Sequence, residues 1–134
     1  MLKTAVVGAG NWGRNLIRTL AQLGVLAAVV EKDPAKRLDL VKTYKNLKIY
    51  ADLPELLNDP GIQAVFIATP VPTHYQLARA ALLAGKDVFL EKPLVLSTVE
   101  ARKLVELAGA RERVLMAGHL LLYQPAVQWL KQYI

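Results

Sequence analysis

Short apolar segments alternate with amphipathic segments along the whole chain, and this alternation limits the possible folds more than any other feature. The apolar segments have the length of strands buried on both faces, whereas the amphipathic segments repeat apolar residues at helical spacing. Strands that alternate with helices form a parallel sheet covered by helices on both faces and joined by right-handed crossovers. The predicted strands are residues 2–8, 25–30, 47–50, 62–69, 86–91 and 114–117.

Capping residues indicate where the helices begin. Asp33-Pro34 combines an N-cap with a proline at the first helical position, and Asp52–Glu55 and Ser97–Glu100 have capping-box spacing. Two further helices are predicted from Asn11 to Leu23 and from about Pro72 to Gly85, where glycine ends the second one. Six strands in this sequence fit the order 3-2-1-4-5-6 of a doubly wound, three-layer αβα fold.

The chain is predicted to form one domain over residues 1–134. Its length is that of an ordinary domain, and no linker, repeat or low-complexity segment interrupts the alternation of strands and helices. After Pro125, residues 126–134 are predicted to be a helix that has only begun, without a following element. We therefore expect the chain to be an excised or naturally truncated domain, or one that a partner chain completes.

A glycine-rich turn, GAGNWG, joins the first predicted strand to the first helix and matches the pattern G-x-G-x-x-G. The pattern alone is weak, but a preceding strand and a following helix indicate a Rossmann dinucleotide-binding turn. There Gly8 permits the tight turn, Gly10 lets the backbone approach a pyrophosphate, and Gly13 lets helix and strand pack closely. The free amides near Asn11 and Trp12 would bind the pyrophosphate together with the helix dipole. The alternative is an ordinary tight βα turn.

An acidic residue follows the second predicted strand at the spacing that a dinucleotide site requires. Glu31 lies 18 positions after Gly13 and could accept hydrogen bonds from the ribose hydroxyls of NAD. A 2′-phosphate would be repelled there unless Lys32 or Arg37 compensated, so NAD is favoured and NADP remains possible. The alternative is a solvated charge at the end of a strand.

Three further motifs follow the fourth, fifth and sixth predicted strands. Together with the glycine turn, they resemble the N-terminal half of the glucose-fructose oxidoreductase, inositol dehydrogenase and rhizopine-catabolism protein (Gfo/Idh/MocA) family. The resemblance covers essentially all 134 residues. The motifs are Ala68-Thr69-Pro70 with His74; Gly85-Lys86-Asp87-Val88 leading into Glu91-Lys92-Pro93; and Gly118-His119 with Tyr123-Gln124-Pro125-Ala126.

The resemblance implies an NAD(P)-dependent dehydrogenase of sugars, cyclitols or sugar nucleotides. It places Lys92 of the Glu91-Lys92-Pro93 motif near the nicotinamide and the reacting hydroxyl, with Lys92 as the candidate catalytic residue. Thr69 and Pro70 would flank the nicotinamide, with His74 beneath it at the start of a helix. An ammonium at the carboxyl end of a strand can orient a substrate hydroxyl and favour its alkoxide, which supports this role for Lys92.

Each of these residues also has a purely structural interpretation. Lys92 would then be a solvated charge, and His74 would cap or pack the start of its helix. His119 and Tyr123 could line the mouth of the site or pack against the last helix, and packing is slightly favoured. Trp12 is more often part of a core than a surface for stacking.

The family's second half, an α/β domain that supplies substrate contacts and a histidine base, has no counterpart in this sequence. By itself, the chain is therefore expected to transfer hydride feebly or not at all. Hydrophobic residues make up 54% of the chain, and we expect surface left bare by that domain to drive formation of a homo-oligomer.

Composition excludes several other classes of function. The chain has no cysteine, which rules out disulfides and thiolate-zinc sites, and no other metal site is predicted. No apolar run approaches the roughly 18 residues of a membrane span, and no leader peptide is recognised, so a cytoplasmic location is expected.

Two rival functions arise from charge and fold. The net charge of +6 raises the possibility of nucleic-acid binding, but the basic residues are dispersed, and we expect no nucleic-acid partner. The second rival is a non-catalytic nucleotide-sensing or interaction module built on the same fold.

Overall fold

The structure, a computed structural model, describes residues 2–134. Six parallel strands form one sheet in the order β3-β2-β1-β4-β5-β6, which confirms the predicted doubly wound topology. The strands are β1 (Thr4–Val7), β2 (Leu26–Val30), β3 (Lys48–Tyr50), β4 (Ala64–Ile67), β5 (Asp87–Leu90) and β6 (Leu115–Ala117). The helices are α1 (Asn11–Gln22), α2 (Pro34–Thr43), α3 (Leu53–Leu57), α4 (His74–Leu83), α5 (Thr98–Ala110) and α6 (Pro125–Leu130).

Side chains alternate between the two faces of the sheet and create two cores, which gives the three predicted layers. Val6 and Val29 point towards α1 and α2, and they share a core with Ile17 and Leu20 of α1 and Leu40 of α2. The neighbouring Val7 and other strand residues point to the opposite face, which carries the larger core formed with α3, α4 and α5. Burial of each Val, Leu or Ile side chain contributes about 1.5–3 kcal/mol.

The predicted caps hold three helices in place. Asp33 accepts a hydrogen bond from the amide of Ala35 at the start of α2, and Asp52 accepts one from Glu55 at the start of α3. Ser97 caps α5 through the amide of Val99, one residue earlier than the capping box predicts.

All six predicted strands are longer than the observed ones: each begins one or two residues too early, and three also end one or two residues too late, where the chain leaves the sheet to form loops. The segment 62–69 contains the strand Ala64–Ile67, and the segment 2–8 contains the strand Thr4–Val7. Gly8 follows β1 with φ of +94°. This left-handed conformation ends the strand, and glycine adopts it without steric strain. The loop residues at this edge of the sheet build the candidate site.

A polar cluster at the opposite edge of the sheet closes the loop after α3. The buried ammonium of Lys86 donates hydrogen bonds to the carbonyls of Asp59 and Ile62, each at 2.8 Å. The Asp59 carboxylate accepts from Lys48 Nζ at 2.7 Å and from the amide of Gly61 at 2.9 Å. The hydrogen bond from Lys48, followed by that from Gly61, lowers the pKa of Asp59 to about 2.

This cluster predicts a loss of stability in acid. The Asp59 pKa is about 2 in the folded chain and near its ordinary 3.8 when unfolded, so the stabilisation is complete above pH 4 and is lost between pH 4 and 2. We expect the melting temperature to fall less over that interval in Asp59→Asn, which keeps an acceptor for Gly61 but has no titrating group. Circular dichroism melts of both proteins at pH 6, 4 and 2.5 measure this. Parallel curves for the two proteins would contradict it.

Candidate functional site

Two adjoining cavities lie at the carboxyl edge of the sheet, around the point where β1 separates β2 from β4. This is the switch point at which doubly wound sheets bind ligands. The larger cavity has a volume of about 730 Å³ and is lined by the loops after β1, β2 and β4. The smaller one, of about 360 Å³, is lined by Glu91 and Lys92 after β5. Ala68 and Thr69 line both, so the end of β4 is their common wall.

The three glycines of the turn occupy different environments. A Cβ on Gly8 would lie 2.9 Å from the carbonyl oxygen of Ala68, and one on Gly13 would lie only 1.9 Å from that of Gly8. Around Gly10, by contrast, a Cβ would meet nothing within 4 Å, and this residue lines the larger cavity. Gly8 and Gly13 are therefore required by the chain itself, whereas Gly10 leaves an open approach from the cavity to the backbone.

The start of α1 is open towards this cavity. Gly10 is its N-cap and supplies no side-chain hydrogen bond, unlike the Asp and Ser caps of α2, α3 and α5. The first amides of a helix have no partner within the helix, and the helix dipole adds positive potential there. The amides of Asn11 and Trp12 lie in this uncapped first turn, and amides in that position can bind an anion.

Glu31 is held between β2 and the glycine turn. Its side chain is 9% exposed, so it is not the solvated strand end of the alternative interpretation. One carboxylate oxygen accepts from the amide of Ala9 at 2.7 Å and the other from the amide of Asp33 at 2.9 Å. A carboxylate oxygen can accept a second hydrogen bond, so Glu31, which lines the larger cavity, keeps capacity for a ribose hydroxyl.

The basic residues after β2 divide into two groups. Arg37 donates through Nη1 to the carbonyls of Glu31 and Lys32, at 2.9 and 2.7 Å, and so braces the main chain of this loop. Lys32 and Lys36 line the larger cavity. Lys36 was not found from the sequence, because its helical position gives no indication that it points towards the end of β2.

Glu91 and Lys92 form the far side of the smaller cavity. Lys92 is exposed, and no group among residues 2–134 accepts a hydrogen bond from its ammonium. Glu91 is 6% exposed and accepts hydrogen bonds from the indole Nε1 of Trp12 and from the amide of Lys92 at 3.2 Å. Trp12 is 44% exposed and lines the same cavity, so the interpretation of its ring as part of the core is wrong.

His74 lies beneath the site rather than in its wall. Its ring is 1% exposed, with Nε2 at 2.8 Å from the carbonyl oxygen of Thr69. Nδ1 lies 3.1 Å and 3.2 Å from the carbonyl oxygens of Pro93 and Leu94. The histidine was grouped with the cofactor-binding residues, but in this structure it ties the loop after β4 to the loop after Lys92. Its assignment to the cofactor-binding residues stays a prediction.

Three residues that line the cavities were not found from the sequence, and two sequence candidates are not packed against the last helix as the sequence slightly favoured. Gln76 and Leu77 line the larger cavity from the first turn of α4, and Leu120 lines the smaller one. They carry no motif, so only the packing of α4 and the turn after β6 identifies them. His119 and Tyr123 are exposed, which contradicts the slightly favoured packing interpretation. Pro70 is exposed and lines the larger cavity.

No group of three or more His, Asp or Glu side chains in residues 2–134 could hold a metal ion. Over the same range, every helix is too short or too polar to cross a bilayer. The open α1 start and the buried acid beside it fit a dinucleotide.

Comparisons with known proteins agree with this geometry. The chain is 34% identical over 131 residues to UDP-N-acetylglucosamine 3-dehydrogenase of Acidithiobacillus ferrooxidans, covering 98% of this chain and 41% of that protein. It is 32% identical to inositol 2-dehydrogenase of Pseudomonas fluorescens, covering 99% and 41%. The chain thus spans about two fifths of the length of these curated relatives.

Solved structures and a family model complete the comparison. GenD2 from gentamicin A biosynthesis, crystallised in complex with NAD, superposes with a TM-score of 0.87 and 36% identity, over 92% of this chain and 36% of that one. The model of the Gfo/Idh/MocA oxidoreductase family, NAD-binding Rossmann fold, matches residues 2–119. The chain therefore belongs to the Gfo/Idh/MocA oxidoreductase family and carries its NAD-binding Rossmann fold.

Proposed function

We propose that this NAD-binding domain serves an oxidoreductase that transfers hydride between the cofactor and a hydroxyl of a sugar, cyclitol or sugar nucleotide. The substrate class follows from relatives that are named for a sugar nucleotide and for inositol. The observation that carries the proposal is the uncapped start of α1 at Gly10, facing the same cavity as Glu31.

In this proposal, each half of the cofactor has its own cavity. The amides of Asn11 and Trp12 bind the pyrophosphate, and Glu31 accepts from the adenosine ribose in the larger cavity. The carboxylate disfavours a 2′-phosphate, whereas Lys32 and Lys36 at the rim offset part of that repulsion. NAD is therefore favoured, and NADP is bound more weakly.

Lys92 is the candidate catalytic residue of the smaller cavity. When bound, NAD supplies the acceptor for the hydride. The unpaired Lys92 ammonium can donate a hydrogen bond to the substrate oxygen and stabilise negative charge that develops there. Ala68 and Thr69 form the wall shared by the two cavities, and Pro70 lines the larger one. A proton acceptor for the hydroxyl is still required, and Lys92 alone in an open cavity does not supply it.

We further propose that residues 1–134 act as one dinucleotide-binding domain, with substrate contacts and the missing base supplied by a separate family domain. The curated relatives are more than twice as long as the matched segment, which supports this division. Consistent with it, hydride transfer by residues 1–134 alone is expected to be feeble or undetectable. A nucleotide-sensing module without catalysis is the alternative.

We also propose a cytoplasmic location, which fractionation of cells that express the protein would test.

A homo-oligomer is proposed for the chain on its own, without a nucleic-acid or membrane partner. Two neighbouring segments, the turn that follows β6 and helix α6, expose many large apolar side chains. Such surfaces mark interaction sites. Light scattering at micromolar concentration is expected to give at least the mass of a dimer, and a clean monomer would contradict this. The exposed side chains are Leu120, Leu121, Leu122, Tyr123, Trp129 and Leu130.

The test of the proposed function is titration with NADH followed by fluorescence. We expect saturable binding of NADH, tighter than that of NADPH, and binding of ADP-ribose, which carries the pyrophosphate and both ribose units. A duplex oligonucleotide is the control for non-specific binding of anions to the basic surface of the chain. Non-specific binding of the oligonucleotide is recognised because it weakens steeply with salt. No NADH binding at millimolar concentration by the folded protein would overturn the proposal. A stable partner that lacks dehydrogenase activity would favour the sensing module.

A further inference from the structure

Trp12 takes part in both proposed halves of the cofactor site. Its main-chain amide lies in the open first turn of α1, and its indole lines the smaller cavity beside Lys92. The indole N–H donates to Oε1 of Glu91, which is the residue immediately before Lys92. A single side chain thus connects the glycine turn to the Lys92 segment, across 79 positions of sequence.

Glu91 depends strongly on this donor. The carboxylate is 6% exposed, and its Oε2 accepts from the amide of Lys92. Within residues 2–134 the ion pair found is Lys48–Asp59, so no cation neutralises Glu91 there. A buried carboxylate without a counter-charge is stabilised by its hydrogen bonds, and hydrogen bonds to a charged acceptor are stronger than neutral ones.

The Lys92 segment is anchored on both sides while the lysine side chain stays free. Glu91 is bound to Trp12, and the carbonyls of Pro93 and Leu94 are bound to His74. Gly118 makes room for the carboxylate, because a Cβ there would lie 3.0 Å from Glu91 Oε2. The main chain around Lys92 is therefore set by contacts from α1, α4 and the end of β6.

We propose that Trp12 and Glu91 are positioning residues: the indole, acting through Glu91, holds Lys92 and its cavity in the geometry that receives the nicotinamide. This inference rests on the proposed function, because it assigns the smaller cavity to that half of the cofactor. The pyrophosphate half depends on the Trp12 main-chain amide, which any side chain at position 12 retains.

The experiment compares binding of NADH and of ADP-ribose, by calorimetry, in the 134-residue chain. Trp12→Phe keeps an aromatic ring and the main-chain amide but removes the indole donor. We expect its NADH affinity to fall about tenfold, the effect of one charge-assisted hydrogen bond, while its ADP-ribose affinity changes less than about twofold. Trp129→Phe is the matched control, because Trp129 is the other tryptophan, is 60% exposed and lies on α6. Both of its affinities are expected to match wild type.

A double-mutant cycle shows whether the indole acts through Glu91. In the background of Glu91→Ala, adding Trp12→Phe is expected to cost less than about twofold in NADH affinity. Glu91→Gln retains a carbonyl acceptor for the indole and is expected to restore part of the loss seen in Glu91→Ala. If Glu91→Ala does not fold, Glu91→Gln takes its place in the experiment. Because glutamine retains an acceptor for the indole, Trp12→Phe is expected to lower NADH affinity in the Glu91→Gln background.

The outcomes separate the two proposals. Equal losses of NADH and ADP-ribose in Trp12→Phe, or no loss of either, would overturn the positioning role while leaving the proposed function intact. An undiminished effect of Trp12→Phe in Glu91→Ala would also overturn it. Failure of the wild-type chain to bind either ligand would overturn the proposed function and this inference together.

Discussion

Gly13→Ala is expected to destabilise the chain by roughly 3–5 kcal/mol or to prevent folding. The added Cβ would lie 1.9 Å from the carbonyl oxygen of Gly8 and 2.9 Å from its carbonyl carbon. Both are main-chain atoms of the turn, and neither can rotate away as a side chain would. The turn or the packing of α1 on β1 must therefore change. Urea denaturation followed by circular dichroism measures the loss of stability.

Gly109→Ala is the matched control for this substitution. Gly109 lies in α5, is exposed, and a Cβ there would meet nothing within 4 Å. Alanine favours a helix over glycine, so the control is expected to gain about 0.5–1 kcal/mol. Wild-type stability of Gly13→Ala would show that the contact between α1 and the turn is not tight, contrary to the structure.

Gly10→Val is expected to lower NADH affinity at least about a hundredfold while lowering the stability by only about 1 kcal/mol, because valine is a poorer N-cap than glycine. Gly10 has φ of −70°, which any residue can adopt, and open space around its Cβ position. The new side chain would occupy the route from the larger cavity to the amides of Asn11 and Trp12. Calorimetric titration with NADH, beside a urea denaturation curve, measures both quantities.

Substitutions at two glycines of one turn are therefore expected to have different effects. Gly13→Ala damages the fold, and Gly10→Val damages binding in a folded protein. Gly109→Ala is expected to bind NADH as wild type does and controls for a general effect of adding a side chain. Normal NADH binding by Gly10→Val would mean that the pyrophosphate does not lie at the start of α1, and the proposed function would lose the observation that carries it.

The sequence was sufficient to predict the topology because each strand and helix is a local pattern. The apolar runs, the caps at Asp33 and Asp52 and the glycine turn all depend on neighbours within a few residues. The ends of the strands were less accurate. Ala68 and Thr69 continue an apolar run but leave the sheet to line both cavities, and hydropathy does not distinguish these two situations.

The contacts of the candidate site depend on residues far apart in sequence. Spacing identified Glu31, but not the hydrogen bond that it accepts from Ala9, 22 positions away. Glu91 and Trp12 were each found as motif residues, whereas the hydrogen bond between them required the folded chain. His74 was grouped with the cofactor residues, and only the structure shows that three carbonyls surround its buried ring.

The bonds of Glu31 bear on how the domain captures its ligand. The carboxylate accepts from the amides of Ala9 and Asp33, which are contacts within the chain itself, so the protein's own hydrogen bonds hold the glycine turn in shape. Preorganised sites spend little of the interaction free energy on ordering the protein. We expect the conformational entropy lost during association to come mainly from the flexible dinucleotide, and the backbone of this turn to move little between the free and bound domain.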